Sequence, residues 1–419
     1  MEKNIFDLNI EQYKEIARDL KTKIETGLTK DGTEIACLPT YINPGKDFEG
    51  KVLALDWGGT NFRAATVEFA KGKAPAVLES LKKPLSRVET AGFSQNDLFA
   101  EMADLVARLK YLDESMTHIG YCFSYPAKST IEGDATLLVW TKEIDIPEMI
   151  DKLVGEPLLK YLNDCDGVRE RTRFKTVKVV NDTIACLFAG LAQPGYDNYI
   201  GLIVGTGTNM ASLIHKDKIA KLHREYNGGD LIPVNLESGN LMPATGSRNL
   251  YLTETDQRVD GKSQQLGKQL FEKAISGGYL GSIFENAFPS IKIEKKFDGE
   301  KLTNLMNYPA IYKDEYVDAA RAIYLRSAKL VAASLAGLIL TLTSCDEKNK
   351  SYDSSVKNIC LAADGSLFWS TDSNGDDYNK IVADSLDLFL KSFGLEHVHV
   401  FISRLNDANL IGSAIAALS

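Results

Sequence analysis

The chain has 419 residues, 44% hydrophobic and 25% charged, and its 48 Lys and Arg against 57 Asp and Glu leave a net charge of −9. That balance excludes a disordered chain, and the length predicts two or three domains whose cores need no disulfide or metal. The acidic surplus argues against an extended nucleic-acid surface, which needs clustered Lys and Arg, but allows a local basic pocket for a small phosphorylated ligand.

Glu2 and Asp7 sit where a secretory signal would be apolar, so none is expected. Leu8, Tyr13, Ile16, Ala17, Leu20 and Ile24 recur at helical spacing and predict an amphipathic helix docked on the body. Residues 51–69 read as two β-rich runs around a Gly-Gly turn, a hairpin. Residues 96–110 carry an apolar helical stripe. Ile119 to Phe123 is a short strand stopped at Ser124-Tyr125-Pro126, and residues 147–163 read as helix. Val177 to Val180 is a strand ending in Asn181-Asp182, and residues 183–192 read as helix. Residues 199–214 repeat the pattern of strand, glycine-rich turn, strand. An irregular stretch covers roughly 215–260, and helices follow at 264–288 and 314–342. Within the latter, Leu330 to Leu342 is too short an apolar run to cross a bilayer and reads as a buried helix, so no membrane partner is expected. Val356 to Ala363 is a strand before Asp364-Gly365-Ser366. Residues 378–393 read as helix, Val398 to Ile402 as strand, and a small-residue helix ends the chain. Strands and helices mixed throughout argue for an α/β fold, and the two glycine hairpins suggest two related lobes.

Asp56-Trp57-Gly58-Gly59-Thr60-Asn61 and Gly205-Thr206-Gly207-Thr208-Asn209 each suit a phosphate clamp. Glycine turns let backbone N–H groups approach an anion, and Thr hydroxyls add donors. Neither is a Walker A loop, because no Gly-Lys-Ser/Thr follows. Asp56 ends its strand, where it can hold a hydrated magnesium ion or simply cap the turn. Asp182 sits where a strand gives way to a helix, and the helix N-terminus favours its ionised form. Such a carboxylate can take a proton from an attacking alcohol, or it can serve as an N-cap. Glu237 and Glu272 are further acidic candidates, since carboxylates accept hydrogen bonds from sugar hydroxyls. Gln269, three residues before Glu272, is expected on the same helix face. The six cysteines are scattered with no C-x-x-C pair, which predicts a reduced, cytoplasmic protein.

These segments together resemble the eukaryotic-type hexokinase family of the actin-like ATPase superfamily. Leu55 to Arg63 is similar to that family's first phosphate motif. Ile119 to Pro126 with Trp140-Thr141-Lys142 resembles its sugar signature. Val180 to Thr183 resembles the catalytic-base motif, and Gly205 to Asn209 the second phosphate motif. Gly267 to Lys273 with Ser276 to Gly281 resembles the sugar-contacting helix, and Ala363 to Ser366 the adenosine motif. Trp57 and Ser238 depart from the pattern, Ser238 standing after Glu237 where the family has Trp.

The resemblance implies a two-lobed actin-like (ribonuclease H-like) fold, with mixed sheets flanked by helices and a cleft between the lobes. Residues 50–180 plus about 403–419 would form a small domain, and residues 1–49 and 181–402 a large one. It implies ATP and magnesium as cofactors and glucose or a related hexose as substrate. Asp182 would be the general base on the 6-hydroxyl, and Lys142 would neutralise charge on the transferring phosphoryl group. Ser124, Thr141, Lys142, Asn181, Asp182, Asn209, Glu237, Gln269 and Glu272 would hold the sugar. Asp56, Gly58, Gly59, Thr60, Asn61, Arg63, Thr206, Gly207, Asp364, Gly365 and Ser366 would surround the nucleotide, with Asp56 reaching magnesium through water. Two other functions keep part of this equipment. A sugar sensor would bind hexose without turnover, and a superfamily ATPase acting on a protein partner would not need the Trp-Thr-Lys and Asn-Asp-Thr motifs.

Overall fold

The structure, a computed structural model, describes residues 5–45, 47–58, 61–84, 93–140, 145–244, 251–289, 298–371 and 377–419. Helix α1 (Ile10–Thr29) starts at a capping box, with the Asn9 side chain accepting from Gln12 N and the Gln12 side chain from Asn9 N. It buries Tyr13, Ile16, Ala17, Leu20 and Ile24, the stripe expected from their spacing. A two-residue strand, β1 (Leu38–Pro39), follows.

Strands β2 (Gly50–Trp57) and β3 (Asn61–Phe69) form the first hairpin, and β4 (Ala76–Pro84) extends it antiparallel. Helix α2 (Gln95–Ala107) leads to β5 (His118–Phe123), which pairs parallel with β2. A small hairpin of β6 (Ala127–Ser129) and β7 (Ala135–Leu137) precedes α3 (Gly155–Asp164), α4 (Asp166–Arg169) and β8 (Thr176–Val180). The expected helix over 147–163 therefore begins only at Gly155, where Asp134 accepts from Gly155 N and Glu156 N and anchors the first turn. The sheet runs β4-β3-β2-β5-β8. Strand β2 is buried on both faces: Leu53, Leu55 and Trp57 join the core under α2 and α3, while Val52 and Ala54 face the other way.

Helix α5 (Asp182–Leu191) opens the second half, followed by β9 (Asn198–Val204) and β10 (Thr208–His215), the second hairpin. The stretch expected to be irregular contains β11 (Leu231–Asn235) and α6 (Glu254–Gly261). The helix expected over 264–288 is two helices, α7 (Leu270–Ile275) and α8 (Gly277–Ala287), broken at an extended Ser276. The break has a tertiary cause. Gly277 N and Gly278 N donate to Gly205 O and Thr206 O of the second hairpin, so they are spent outside the helix ladder. Helices α9 (Gly299–Asn307) and α10 (Asp314–Leu342) follow. Helix α10 is long and apolar enough to cross a membrane by length and composition, yet 89% of its most apolar window is buried inside the protein. Strand β12 (Asn358–Asp364), α11 (Tyr378–Ser392), β13 (His399–Arg404) and α12 (Ala408–Ala417) complete the chain. This sheet runs β1-β11-β10-β9-β12-β13.

Helices α5 and α12 lie between the two sheets, in a core of their own with Val52, Ala54, Ile184, Leu187, Leu410 and Ala414. The crossings are close because two glycines remove the Cβ that would block them. A Cβ on Gly120 of β5 would lie 1.8 Å from Ser413 O of α12, and one on Gly412 would lie 1.7 Å from Ala185 O of α5. The chain end thus packs onto the sheet built by residues 50–180, while the rest of the second half builds the other sheet.

Candidate active site

The junction of β8 and α5 divides two tasks between neighbours. Asn181 is the N-cap, its side-chain oxygen accepting from Thr183 N at 2.9 Å. Asp182 is the first helical residue, and its Oδ1 accepts from the same N–H at 2.8 Å. Its charge sits in the positive end of the helix dipole. Burial raises the pKa of Glu237 on one side and of the Cys122 thiol, opposite Asp56, on the other, and the Asp182 charge adds to both, behind that of Asp56 at Cys122.

One wall of the site is polar and tightly bonded. Asn209, on β10, donates to Asn235 Oδ1 at 2.7 Å and to Glu237 Oε1 at 3.4 Å. Its own oxygen accepts from Met210 N and Ser238 N. Asn235 donates to Glu237 Oε1 at 2.7 Å. Glu237 has left-handed backbone (φ 58°), which turns its side chain back onto this pair of amides. Burial pushes the Glu237 carboxyl above the usual range, against the two amide hydrogen bonds. Glu272, on α7, accepts from Thr208 N at 2.9 Å. The expectation that Gln269 and Glu272 share a helix face is corrected here. Gln269 precedes α7 with left-handed backbone (φ 52°), outside the helix.

The residues expected around the nucleotide lie on three turns. In the first hairpin Gly58 N donates to Asn61 O at 3.3 Å, and Tyr125 Oη donates to Gly58 O at 3.1 Å. Arg63, expected around the phosphates, spends its guanidinium on two carboxylates. Nε and Nη2 donate to Asp56 Oδ2 at 2.8 and 2.7 Å, and Nη1 to Asp407 Oδ1 at 2.9 Å. In the second hairpin Gly205 N donates to Gly207 O, and Thr206 O is taken by Gly278 N. The third turn lies against it: Asp364 Oδ1 accepts from Gly365 N at 2.7 Å, and a Cβ on Gly205 would lie 3.4 Å from the Gly365 Cα. Ser366 beside it is exposed.

Ser124 is buried at the end of β5, its N–H donating to Trp57 O at 3.2 Å. Gly59, Thr60, Thr141 and Lys142 lie outside the described residues. Their flanks are fixed by one aromatic cluster of Trp57, Phe123, Tyr125 and Trp140, with ring centroids 5.0 to 6.2 Å apart. Trp140 Nε1 donates to Ile146 O at 2.8 Å, across the segment that carries Thr141 and Lys142. Sequence reasoning missed Asn235, Asp407 and Asn409. Asn235 stands two residues before Glu237 on a strand it did not expect, while Asp407 is the N-cap of α12 and Asn409 lies in its first turn, and the docking of α12 against β2 depends on the whole fold.

A hexokinase family model matches residues 2–191, and a second matches residues 199–317 and 314–419. The chain belongs to the hexokinase family. It is 27% identical to hexokinase-9 of Oryza sativa subsp. japonica, over 98% of this chain and 87% of that one. It is also 27% identical to hexokinase-2 of Schizosaccharomyces pombe, over 99% and 95%. Its fold is similar to the hexokinase from Schistosoma mansoni complexed with glucose, with TM-score 0.75 and 25% identity over 99% of this chain and 96% of that one. A ROK hexokinase from Thermus thermophilus shares the fold at TM-score 0.54 and 19% identity, over 88% and 97%. The protein is an enzyme of ATP-dependent hexose phosphorylation.

A hexokinase acts on ATP with a divalent cation, and the residues here suit magnesium. Magnesium is commonly bound by one or two carboxylates, with waters and substrate phosphates filling its shell. Asp56 offers that: Oδ2 is held by Arg63, while Oδ1 is approached at 3.4 Å by Asn409.

Proposed function

We propose that this hexokinase transfers the γ-phosphoryl group of ATP to the 6-hydroxyl of glucose and similar hexoses, giving hexose 6-phosphate and ADP, the first step of glycolysis in the cytoplasm. The observation that carries the reading is the position of Asp182. It opens α5 directly after β8, a strand of the sheet that carries Asp56, and α5 packs against β9 and β10, the hairpin that carries Asn209. A general base for phosphoryl transfer to an alcohol belongs there, between the acceptor and the donor phosphate.

In the proposed reaction the sugar hydroxyls bind Asn209, Glu237, Gln269 and Glu272 on one wall and Ser124, Thr141 and Asn181 around the reacting end. Asp182 takes the 6-hydroxyl proton as the oxygen bonds to the γ-phosphorus. The bond from that phosphorus to the β-γ bridging oxygen breaks, and ADP leaves. Lys142 would offset charge on the phosphoryl group, and the turn at Thr206 and Gly207 would present backbone donors to the nucleotide, with the glycine turns at Gly58 and Gly365 leaving room for its approach. Asp56 would hold magnesium through water, and the ion supplies charge neutralisation. Closure of the lobes on the sugar would exclude water, the competing acceptor. The test is Asp182→Asn, which preserves size. Turnover should fall about a thousandfold with glucose affinity retained. Turnover within tenfold of the parent in a folded variant would end the assignment.

A further inference from the structure

Helix α7 is only six residues long, far below the length at which a helix holds itself in water. Its place and rotation must come from ties to the rest of the protein, and one of them is unusual. Lys273 is a buried lysine, 3% exposed, one residue after Glu272. All three of its ammonium protons are used: Nζ lies 2.6 Å from Asp260 Oδ1, 2.8 Å from Ser263 Oγ and 2.6 Å from Gln265 O. Asp260 is itself pinned, because both its oxygens accept from Gly267 N, at 3.0 and 3.1 Å. The loop between α6 and α7 is therefore gathered around a single ammonium group.

That loop holds two left-handed residues in three, Gly267 (φ 73°) and Gln269 (φ 52°). For a glutamine this conformation costs about 1 kcal/mol or more, and it persists only where the surroundings over-determine it. Gln269 O in turn accepts from Lys273 N at 2.9 Å. On the next face of the helix Glu272 meets Thr208 N, so Lys273 and Glu272 grip α7 from directions about 100° apart. Ser327 Oγ, donating to Ile275 O at 2.6 Å, fixes the last turn. Burying a lysine is costly unless every donor is paired, and here the pairing is spent on the segment that carries Gln269.

We propose that Lys273, with Asp260, is a positioning residue for sugar recognition: its clasp holds Gln269 left-handed and sets the rotation of α7, so that Gln269 and Glu272 meet the sugar hydroxyls together. This rests on the assignment of those two side chains to the sugar. The experiment measures the glucose dissociation constant by tryptophan fluorescence, which Trp57 and Trp140 report from beside the site, and turnover alongside it. The variants are Lys273→Met, Asp260→Asn, Gln269→Ala, Glu272→Gln and the double variant Lys273→Met/Gln269→Ala. Lys273→Met should weaken glucose at least tenfold with a smaller change in turnover, and the double variant should bind within twofold of Gln269→Ala alone. Asp260→Asn, which keeps the shape, should give a smaller loss of the same kind and carries the test if Lys273→Met does not fold. Glucose affinity within twofold of the parent in both clasp variants, with only the melting temperature lowered, would overturn the proposal. If Gln269→Ala and Glu272→Gln themselves leave glucose affinity unchanged, the sugar assignment fails, and the proposal falls with it.

Discussion

The two glycine hairpins differ in what holds them. At the β2–β3 hairpin the brace is largely ionic, with one neutral side-chain bond from Tyr125 to Gly58 O. Asp56 and Arg63 stand directly opposite each other in the strand register, and Arg63 reaches on to Asp407 just before α12. At the β9–β10 hairpin the brace is backbone against backbone. Gly205 O and Thr206 O accept from the start of α8, Val204 O accepts from Phe368 N, and Gly365 packs on the turn. A charge brace can be rearranged by a ligand that brings its own charge; a backbone brace moves only if two elements move together. We therefore expect the first turn to adjust when nucleotide arrives and the second to act as a fixed floor.

The largest effect should come from Gly365→Ala. Gly365 has φ 115°, and an added Cβ would lie 2.2 Å from Val204 O and 2.7 Å from Gly205 N. Neither is a side chain that can rotate away. A loss of about 3 kcal/mol or more is expected from urea unfolding, insensitive to salt. A variant with parental stability would show that the floor is not fixed.

Next comes Arg63→Met, which leaves the Asp56 carboxylate, 8% exposed, without its main partner. About 2–3 kcal/mol should be lost. Asp407→Asn removes only the 40% exposed end of the bridge and should cost under about 1 kcal/mol, less in high salt. Equal losses from the two would mean that the ionic brace works through α12 rather than through Asp56.

A smaller effect, of opposite sign, is expected at the wall beside the second hairpin. Burial raises the Glu237 carboxyl pKa, so folding favours its protonated form. The parent loses stability as pH rises from the ordinary glutamate value of about 4.3 through the folded-state value. Glu237→Gln removes that penalty. The sugar-free variant should melt higher than the parent at neutral pH, with the gain vanishing below about pH 4, while its glucose affinity falls. A gain that does not depend on pH would contradict the burial argument.

How far the sequence carried is clear from these same elements. Both hairpins are legible because a β-rich run, a glycine turn and a second β-rich run need no distant partner. The helix over 314–342 is legible for a similar reason, a long local pattern, and α10 has those bounds. The break at Ser276 is not legible, because Gly277 and Gly278 leave the helix ladder only when the second hairpin is beside them. The left-handed Gln269 is hidden likewise, since it depends on a lysine four residues later meeting an aspartate of another helix. Arg63 could be placed near Asp56, but its second carboxylate, Asp407, is 344 residues away in the chain. Local chemistry thus marked the motifs, and tertiary contacts decided which atoms in them were already spent.

The smallest effect on stability should come from Gly58→Ala, and it isolates what the first turn is for. Unlike Gly365, Gly58 does not have the left-handed backbone that only glycine adopts freely, and among the described residues nothing lies within 4 Å of an added Cβ. The fold therefore has no need of a glycine there, and stability should change by less than about 1 kcal/mol, in either direction. If the open space over Gly58 is where a phosphate approaches the backbone, the added methyl group occupies it. The Michaelis constant for ATP should then rise at least tenfold with glucose affinity unchanged. Large destabilisation would assign the glycine to the fold. Unchanged stability and unchanged ATP kinetics together would remove the first hairpin from the phosphate site.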